Sequence, residues 1–138
     1  MKDCVFCKIV NKEIPASIFR ETDEYIAFTV TEPNNFGHSI VVPKKHLENI
    51  YSFDGKTAEK LGEELKIVSL AIKNAVKAEG INIHMNNEKV AGQAVFHAHI
   101  HIIPRFSTDG LDHWKTKTYE NDSQKQELAD NIKKFILA

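Results

Sequence analysis

The sequence predicts an α+β fold, with a roughly five-stranded antiparallel sheet, one long helix and a C-terminal helix. Two observations support this class. Short β-rich runs come in pairs joined by polar turns, as in hairpins. One long run of helical periodicity separates the first group of strands from the second. The 138 residues suffice for one compact domain with a hydrophobic core, so we expect residues 1–138 to form a single domain.

The first half of the chain is predicted to form a short helix and three strands. Residues 4–12 carry apolar side chains on one side of a short helix. The segment "SIFRETDEYIAFTVT" (17–31) holds two β-rich runs around the polar turn "ETDE", which predicts a hairpin. The segment "HSIVVP" (38–43) predicts a third strand that ends at Pro43.

The second half contains the clearest helix and two further strands. Apolar residues recur at helical spacing, and Gly80 follows where we expect this helix to stop. These residues are Leu61, Leu65, Val68, Ile72 and Val76. "INIHM" (81–85) and "AVFHAHIHII" (94–103) predict two strands, the second ended by Pro104. Apolar residues over 128–136 predict an amphipathic C-terminal helix.

Composition and charge exclude several classes of partner. A formal net charge of -1 gives no electrostatic reason to bind nucleic acid or an acidic membrane. The apolar run in "MKDCVFCKIV" is too short for a signal peptide, and no apolar stretch is long enough to span a bilayer. We therefore expect a cytoplasmic protein with neither nucleic acid nor membrane as a partner.

The segment "HAHIHII" (97–103) is the most informative in the chain. Residues two apart on a strand face the same side, so His97, His99 and His101 are predicted to form a row with a spacing of about 6.6 to 6.8 Å. A lone buried histidine is usually a hydrogen-bonded core residue. Three in register, opposite an apolar face, cost desolvation with little packing in return. The row therefore predicts a metal site, a catalytic row, or both.

Imidazole chemistry favours His99 as a nucleophile. Near neutral pH much of a histidine population is uncharged and able to attack. The attacking nitrogen must be free, while the other ring nitrogen donates its proton to an acceptor that fixes the tautomer. His99 lies between two histidines, near strand carbonyls, and meets this requirement best.

The two cysteines, Cys4 and Cys7, lie three positions apart. In a reducing cytosol such a pair is either redox-active or half of a metal site. A thioredoxin-like motif follows a strand in a βαβ unit, and no strand precedes these cysteines. Half of a tetrahedral structural zinc site is the better interpretation, with two more ligands drawn from seven histidines. Two free thiols in a surface turn are the alternative.

Three segments resemble the histidine triad (HIT) family of nucleotide hydrolases and transferases. His-x-His-x-His followed by two apolar residues is that family's signature, and "NNEKVAGQAVFHAHIHIIPR" (86–105) is similar to the family around it. "GHSIVVPKKH" (37–46) and "CVFCKIVNKEIPA" (4–16) extend the resemblance. It covers roughly residues 4–106, is greatest for the bacterial, Hint-like branch, and leaves 107–138 as a C-terminal extension.

The resemblance implies hydrolysis of purine nucleoside 5′-phosphoramidates, or related nucleotidyl compounds, through a nucleotidyl-histidine intermediate. It makes His99 the nucleophile on the α-phosphorus, with His101 and His38 lining the phosphate pocket. The residues expected at the phosphate are Asn86, Gly92, Gln93 and Val95, although "VAGQ" (90–93) taken alone is more typical of a plain turn into the last strand. The residues expected to form the base cleft are Phe6, Ile9, Ile14, Ile18 and Phe28, which are also typical core residues.

The resemblance also implies a metal and an assembly. Its zinc ligands correspond to Cys4, Cys7, His46 and His97. The family forms two-fold dimers, so we expect a homodimer that binds an AMP-type nucleotide.

Two positions depart from the family pattern. The family usually has Asp at Val30, where the carboxylate holds the ribose hydroxyls, and the Hint-like branch often has Ser at Ala94, beside the leaving group. These departures leave open a second hypothesis, a nucleotide-binding regulatory protein with little catalysis. A zinc hydrolase with three histidine ligands is disfavoured, since it needs an open metal position and a nearby carboxylate base. His84 and His113 carry no motif and are predicted to be surface or strand residues.

Overall fold

The computed structural model describes residues 3–136 and has the predicted α+β architecture. Its antiparallel strands form one five-stranded sheet in the order β1-β2-β3-β5-β4. The strands are β1 (Ile18–Glu21), β2 (Tyr25–Thr29), β3 (Ser39–Pro43), β4 (Gly80–His84) and β5 (Ile100–Arg105). The helices are α1 (Val5–Val10), α2 (Gly55–Val76) and α3 (Asp122–Phe135). Among these described residues, no helix has the length and apolar character needed to cross a membrane.

Each face of the sheet packs against a helix. α2 covers one face, where Val68 and Ile72 pack with strand residues that include Val41 and Ile102. The short helix α1 covers part of the other face, where it contributes Phe6 to a second apolar cluster. Because the central strand β3 is covered on both sides, all of its residues are buried. α1 has only six residues, so it leaves the rest of its face open for a site.

One row of side chains crosses the uncovered part of that face. Ile18 lies opposite Phe28, Phe28 opposite Ile40, Ile40 opposite His101, and His101 opposite His84. Directly opposed residues of antiparallel strands point to the same side of the sheet. The row therefore changes from apolar side chains to imidazoles as it passes from β3 to β5.

The long helix ends differently from the prediction. We expected Gly80 to stop it, but α2 ends at Val76 and Gly80 is the first residue of β4. Lys77 takes the left-handed conformation with φ 54°, and Ala78 N–H donates to the Lys73 carbonyl at 2.9 Å. This capping geometry usually selects glycine, and here lysine adopts it.

The last strand also differs from the prediction. β5 starts at Ile100 instead of Ala94, and Pro104 lies within it rather than at its end. Residues 94–99 lie outside the sheet, and Ala98 N–H donates to the Leu47 carbonyl, in the segment after β3, at 2.7 Å. The three histidines therefore do not share one regular strand, because only the third lies in β5.

The predicted C-terminal helix is present as α3, and none of its residues is buried. Asn121 caps its start by accepting a hydrogen bond from Gln124 N–H at 2.8 Å. Leu128, Ile132 and Phe135 share one face of the helix and remain exposed to solvent. An isolated helix of this length has only marginal stability in water, so we expect its apolar face to pack against another surface.

Candidate active site

A cavity of about 970 Å³ opens beside α1 on the uncovered face of the sheet. Every buried or half-buried residue that lines it is apolar, apart from His38, His99 and His101. Five residues predicted for the base cleft or the phosphate line it: Phe6, Ile9, Ile14, Phe28 and Val95. Its other polar lining residues, such as Asn34 and Glu32, are exposed. The arrangement suits a ligand with a flat apolar part and a polar end that reaches the imidazoles.

One ring nitrogen of His99 is hydrogen-bonded and the other is free. Its Nδ1 lies 2.8 Å from the His97 carbonyl oxygen, and since a carbonyl can only accept, Nδ1 carries the proton and donates it. In the neutral ring this leaves Nε2 with a lone pair. Burial lowers the pKa of His99, which keeps the ring neutral. The Phe6 ring packs edge-on against the His99 ring, with centroids 5.1 Å apart. His99 is thus a neutral imidazole whose Nε2 lone pair is free.

His38 fixes the tautomer of His101. Asn34 N–H donates to Nδ1 of His38 at 3.0 Å, so the proton of neutral His38 is on Nε2. This Nε2–H donates to Nδ1 of His101 at 3.0 Å, which places the proton of His101 on its own Nε2. Burial first, and then the neighbouring imidazoles, lower the pKa of His101 to about 4. Burial likewise lowers the pKa of His38. The pair therefore offers the cavity one oriented hydrogen-bond donor.

The four residues predicted to bind metal lie together. The possible ligand atoms of Cys4, Cys7, His46 and His97 all lie within 4.8 Å of one another. The sulfur of Cys4 is 3.3 Å from Nδ1 of His97, and that of Cys7 is 3.3 Å from Nδ1 of His46. In a tetrahedral site with Zn–S of about 2.3 Å and Zn–N of about 2.0 Å, sulfur and nitrogen ligands are separated by about 3.5 Å. The four side chains therefore fit a small tetrahedral metal ion.

Hydrogen bonds orient the side chains of this cluster so that they could bind a cation. Nε2 of His97 donates to the Pro43 carbonyl at 2.7 Å, which leaves the lone pair of Nδ1 on the side of the two sulfurs. Cys4 is the N-cap of α1, and its sulfur accepts from Cys7 N–H. Burial raises the pKa of the Cys7 thiol, and a coordinated cation would remove that proton outright.

Four residues predicted to bind the substrate do not line the cavity. Gln93 is buried, and its amide is fully used: Nε2 donates to the Glu48 carbonyl at 2.6 Å and to the Val95 carbonyl at 3.1 Å, while Oε1 accepts from Glu88 N–H at 2.8 Å. It therefore has no donor left for a phosphate and instead holds the turn before the histidines.

The other three residues act in a similar, structural way. Asn86 donates through Nδ2 to the Gly92 carbonyl at 3.3 Å. Gly92 has φ +94°, where a side chain would be strained, and an added Cβ would lie 3.3 Å from that same Nδ2. Ile18 is half-buried and packs against the apolar cluster under α1. Ala94 is exposed and does not line the cavity either.

Two residues near the site have no sequence motif. Asn34 contributes a backbone N–H, which no side-chain pattern reveals. His84 stacks on His101, with ring centroids 4.7 Å apart and an interplanar angle of 23°. Alternate residues of a strand point to the same face of a sheet. If the predicted strand 81–85 had been paired with the strand that carries His101, every second residue of "INIHM" would have been expected on the face of the histidines.

Comparisons with known proteins find one family. A family model described as the HIT domain matches residues 11–108. Among solved structures, SMU.412c from Streptococcus mutans superimposes with a TM-score of 0.93 and 38% identity, over 99% of this chain and 87% of that one. A Zn-bound histidine triad family protein from Mycobacterium smegmatis has a TM-score of 0.76 and 28% identity, over 96% of this chain and 97% of that one. Adenylylsulfatase HINT3 from Arabidopsis thaliana is 35% identical over 89% of this chain and 61% of its own length.

Proposed function

Because this chain belongs to the HIT domain family, we propose that it is a nucleotide-binding hydrolase acting on purine nucleoside 5′-phosphoramidates or related nucleotidyl compounds. The observation that carries the proposal is the state of His99, a neutral ring with its proton fixed on Nδ1 and a free Nε2, on the wall of a large apolar cavity. The similarity to a protein named as an adenylylsulfatase supports cleavage of a nucleotidyl bond.

The reaction has two steps in which the chain's own imidazoles act. Nε2 of His99 attacks the α-phosphorus and forms a P–N bond, while the bond from phosphorus to the leaving group breaks. The leaving group departs with a proton taken from solvent, and the water that attacks in the second step returns one proton to solvent. Nε2–H of His101, oriented by His38, donates to a phosphate oxygen as charge develops there. Water then attacks the nucleotidyl-His99 intermediate, releases the nucleoside monophosphate and restores the free imidazole.

The nucleoside occupies the apolar part of the cavity. Phe6 and Phe28 provide aromatic surface, and Ile9 and Ile14 complete an apolar wall. None of these four side chains has a polar atom to read the edge of a base, so purines are held by stacking and burial with little discrimination between them.

The metal is zinc, and its role is structural. Two sulfurs and two imidazole nitrogens are the typical ligands of a closed tetrahedral zinc site. The site joins Cys4 and Cys7 of α1's first turn to His46 and His97, and so fixes α1 on the sheet. A Zn-bound relative in the same family supports the choice of metal. Reduced thiols at such a site suit the cytoplasm.

The active assembly is a homodimer, in which α3 packs on a second copy of the chain. α3 buries none of its residues within its own chain, although it carries the apolar face of Leu128 and Ile132. Residues 107–138 are thus an extension of a single HIT domain rather than a second domain. Light scattering after size-exclusion chromatography should give a dimer, and Leu128→Glu with Ile132→Glu should give a monomer. A wild-type monomer would contradict this assembly.

Substituting His99 tests the proposed function. His99→Ala should abolish hydrolysis of adenosine 5′-phosphoramidate and leave the Kd for AMP within a few-fold, because a nucleophile stabilises the transition state far more than the ground state. Unchanged AMP binding serves as the control for folding. Activity of the variant within about tenfold of wild type would contradict the assignment. A wild-type protein that binds AMP and hydrolyses nothing would instead be a regulatory nucleotide-binding protein.

A further inference from the structure

A fourth imidazole, that of His84, stands beside the three that line the cavity. His84 lies on the edge strand β4 directly opposite His101, so both side chains point to the same face of the sheet. Their rings are stacked, with centroids 4.7 Å apart and planes inclined by 23°. The mechanism proposed above gives this residue no role.

The surroundings of His101 show what the stack adds. The hydrogen bond from His38 fixes Nδ1 of His101 but leaves the ring free to tilt about that contact. His99 touches the ring edge-on, with centroids 5.0 Å apart. The His38 ring also contacts it, at a tilt of 52° with centroids 5.2 Å apart. Among the described residues, His84 is the one whose ring stacks face to face on His101, so this contact restrains the plane of the His101 ring and the direction of its Nε2–H.

His84 also separates His101 from a second cavity. This cavity, of about 430 Å³, is lined by His84 but not by His101, and it shares Asn34 with the larger cavity. Without the His84 ring, one face of His101 would open onto this space and its water. Water there would compete for the hydrogen bond at Nδ1, bind Nε2–H and raise the polarity around the ring.

The contacts of His84 favour stacking over an ionic role. Within residues 3–136 its ring nitrogens make no side-chain hydrogen bond or ion pair. The guanidinium of Arg105 also lines the second cavity, but it is hydrogen-bonded elsewhere. Its Nε donates to Oδ2 of Asp109 at 2.8 Å and its Nη1 donates to Oδ1 of Asn82 at 2.7 Å. Aromatic pairs in offset-stacked geometry stabilise each other beyond simple burial.

We propose that His84 is a positioning residue, whose stacked ring holds His101 in the plane that directs Nε2–H at the α-phosphate. This inference rests on the proposed function, because it assigns His101 its role at the phosphate. His84 need not touch the substrate.

Two substitutions and a matched control test the proposal. His84→Ala removes the ring and should lower kcat about tenfold or more while KM stays within about threefold, since misplacing a donor harms the transition state most. His84→Phe keeps a flat ring without nitrogens and should restore kcat to within about threefold of wild type. Ile83→Ala changes the neighbouring residue, on the opposite face of β4, and should leave both constants unchanged.

A spectroscopic readout separates this proposal from the proposed function. NMR spectra should show His101 as the Nε2–H tautomer in wild type and in both His84 variants, because His38 fixes it. The nuclear Overhauser contacts from the His101 ring to His38 and His99 should change in His84→Ala and stay as in wild type in His84→Phe. This measurement needs no turnover, so it decides the positioning role even if no substrate is hydrolysed. Unchanged His101 signals and unchanged kcat in His84→Ala would overturn the proposal. Equal losses in the alanine and phenylalanine variants would also overturn it, because the His84 nitrogens would then be the active feature.

Discussion

Replacing Cys4 with serine should destabilise the protein far more than it slows the chemical step. The metal site holds α1 on the sheet, and α1 buries Phe6 and Ile9, which are only 8% and 6% exposed. If α1 detaches, exposing two such side chains costs about 1.5–3 kcal/mol each, or about 3–6 kcal/mol together. For a chain of this length, with about 3–5 °C per kcal/mol, the Tm should fall by at least about 9 °C.

Calorimetry combined with elemental analysis measures this effect. Wild-type protein purified without chelator should carry one zinc per chain, and Cys4→Ser should carry less. Lys8→Ala, on the same helix but without a ligand atom, should change stability by no more than about 0.5 kcal/mol. KM should rise in Cys4→Ser because Phe6 and Ile9 line the cavity. By contrast, kcat should fall far less than in His99→Ala, because the hydrogen bonds that orient His99 and His101 involve no atom of Cys4. Metal-free wild type, or a variant with wild-type Tm, would refute the reasoning.

Further predictions concern the sugar, a buried tyrosine and the turn. AMP and 2′-deoxy-AMP should bind with Kd values within about tenfold of each other, or ~1.4 kcal/mol, because Val30 offers no acceptor to the sugar hydroxyls. Calorimetric titration measures both Kd values, and a hundredfold preference for AMP would indicate that exposed Glu32 binds the sugar. Burial raises the pKa of Tyr25, whose hydroxyl donates to the Thr57 carbonyl at 2.7 Å. The stabilisation of the fold by this neutral hydroxyl is therefore complete below about pH 10, the usual pKa of tyrosine in an unfolded chain, and is lost as the pH rises above it. Denaturant titrations across that range should show a smaller loss in Tyr25→Phe. Gln93→Ala should cost about 1–3 kcal/mol, measured the same way, because it leaves backbone groups unpaired.

The features that sequence periodicity predicted well are those with local causes. The hairpin formed where a polar turn joins two β-rich runs, with Thr22 N–H donating to the Tyr25 carbonyl at 2.8 Å. α2 formed where five apolar residues repeat at helical spacing, and its Asp54 cap accepts from Thr57 N–H at 2.8 Å. The grouping of Cys4 and Cys7 with two histidines followed the family resemblance, and the four residues do lie together.

The features that sequence reasoning missed depend on long-range contacts. β5 starts late, and Ala98 pairs with Leu47, 51 positions earlier, a contact that no local pattern encodes. Gln93 was expected at the phosphate, but three backbone groups occupy its amide, and one of them, the Glu48 carbonyl, lies 45 positions earlier in the chain. His84 has no motif of its own and becomes significant only through its register with His101.

The central claim is that His99 becomes covalently nucleotidylated, and rapid quench tests it most directly. Wild-type protein mixed with adenosine 5′-phosphoramidate and quenched in acid-free denaturant should gain the mass of one adenylyl group, and peptide mapping should place that group on His99. His99→Ala should show no such gain. Full turnover by the wild type with no adduct at any quench time, or an adduct on another histidine such as His101, would contradict the account.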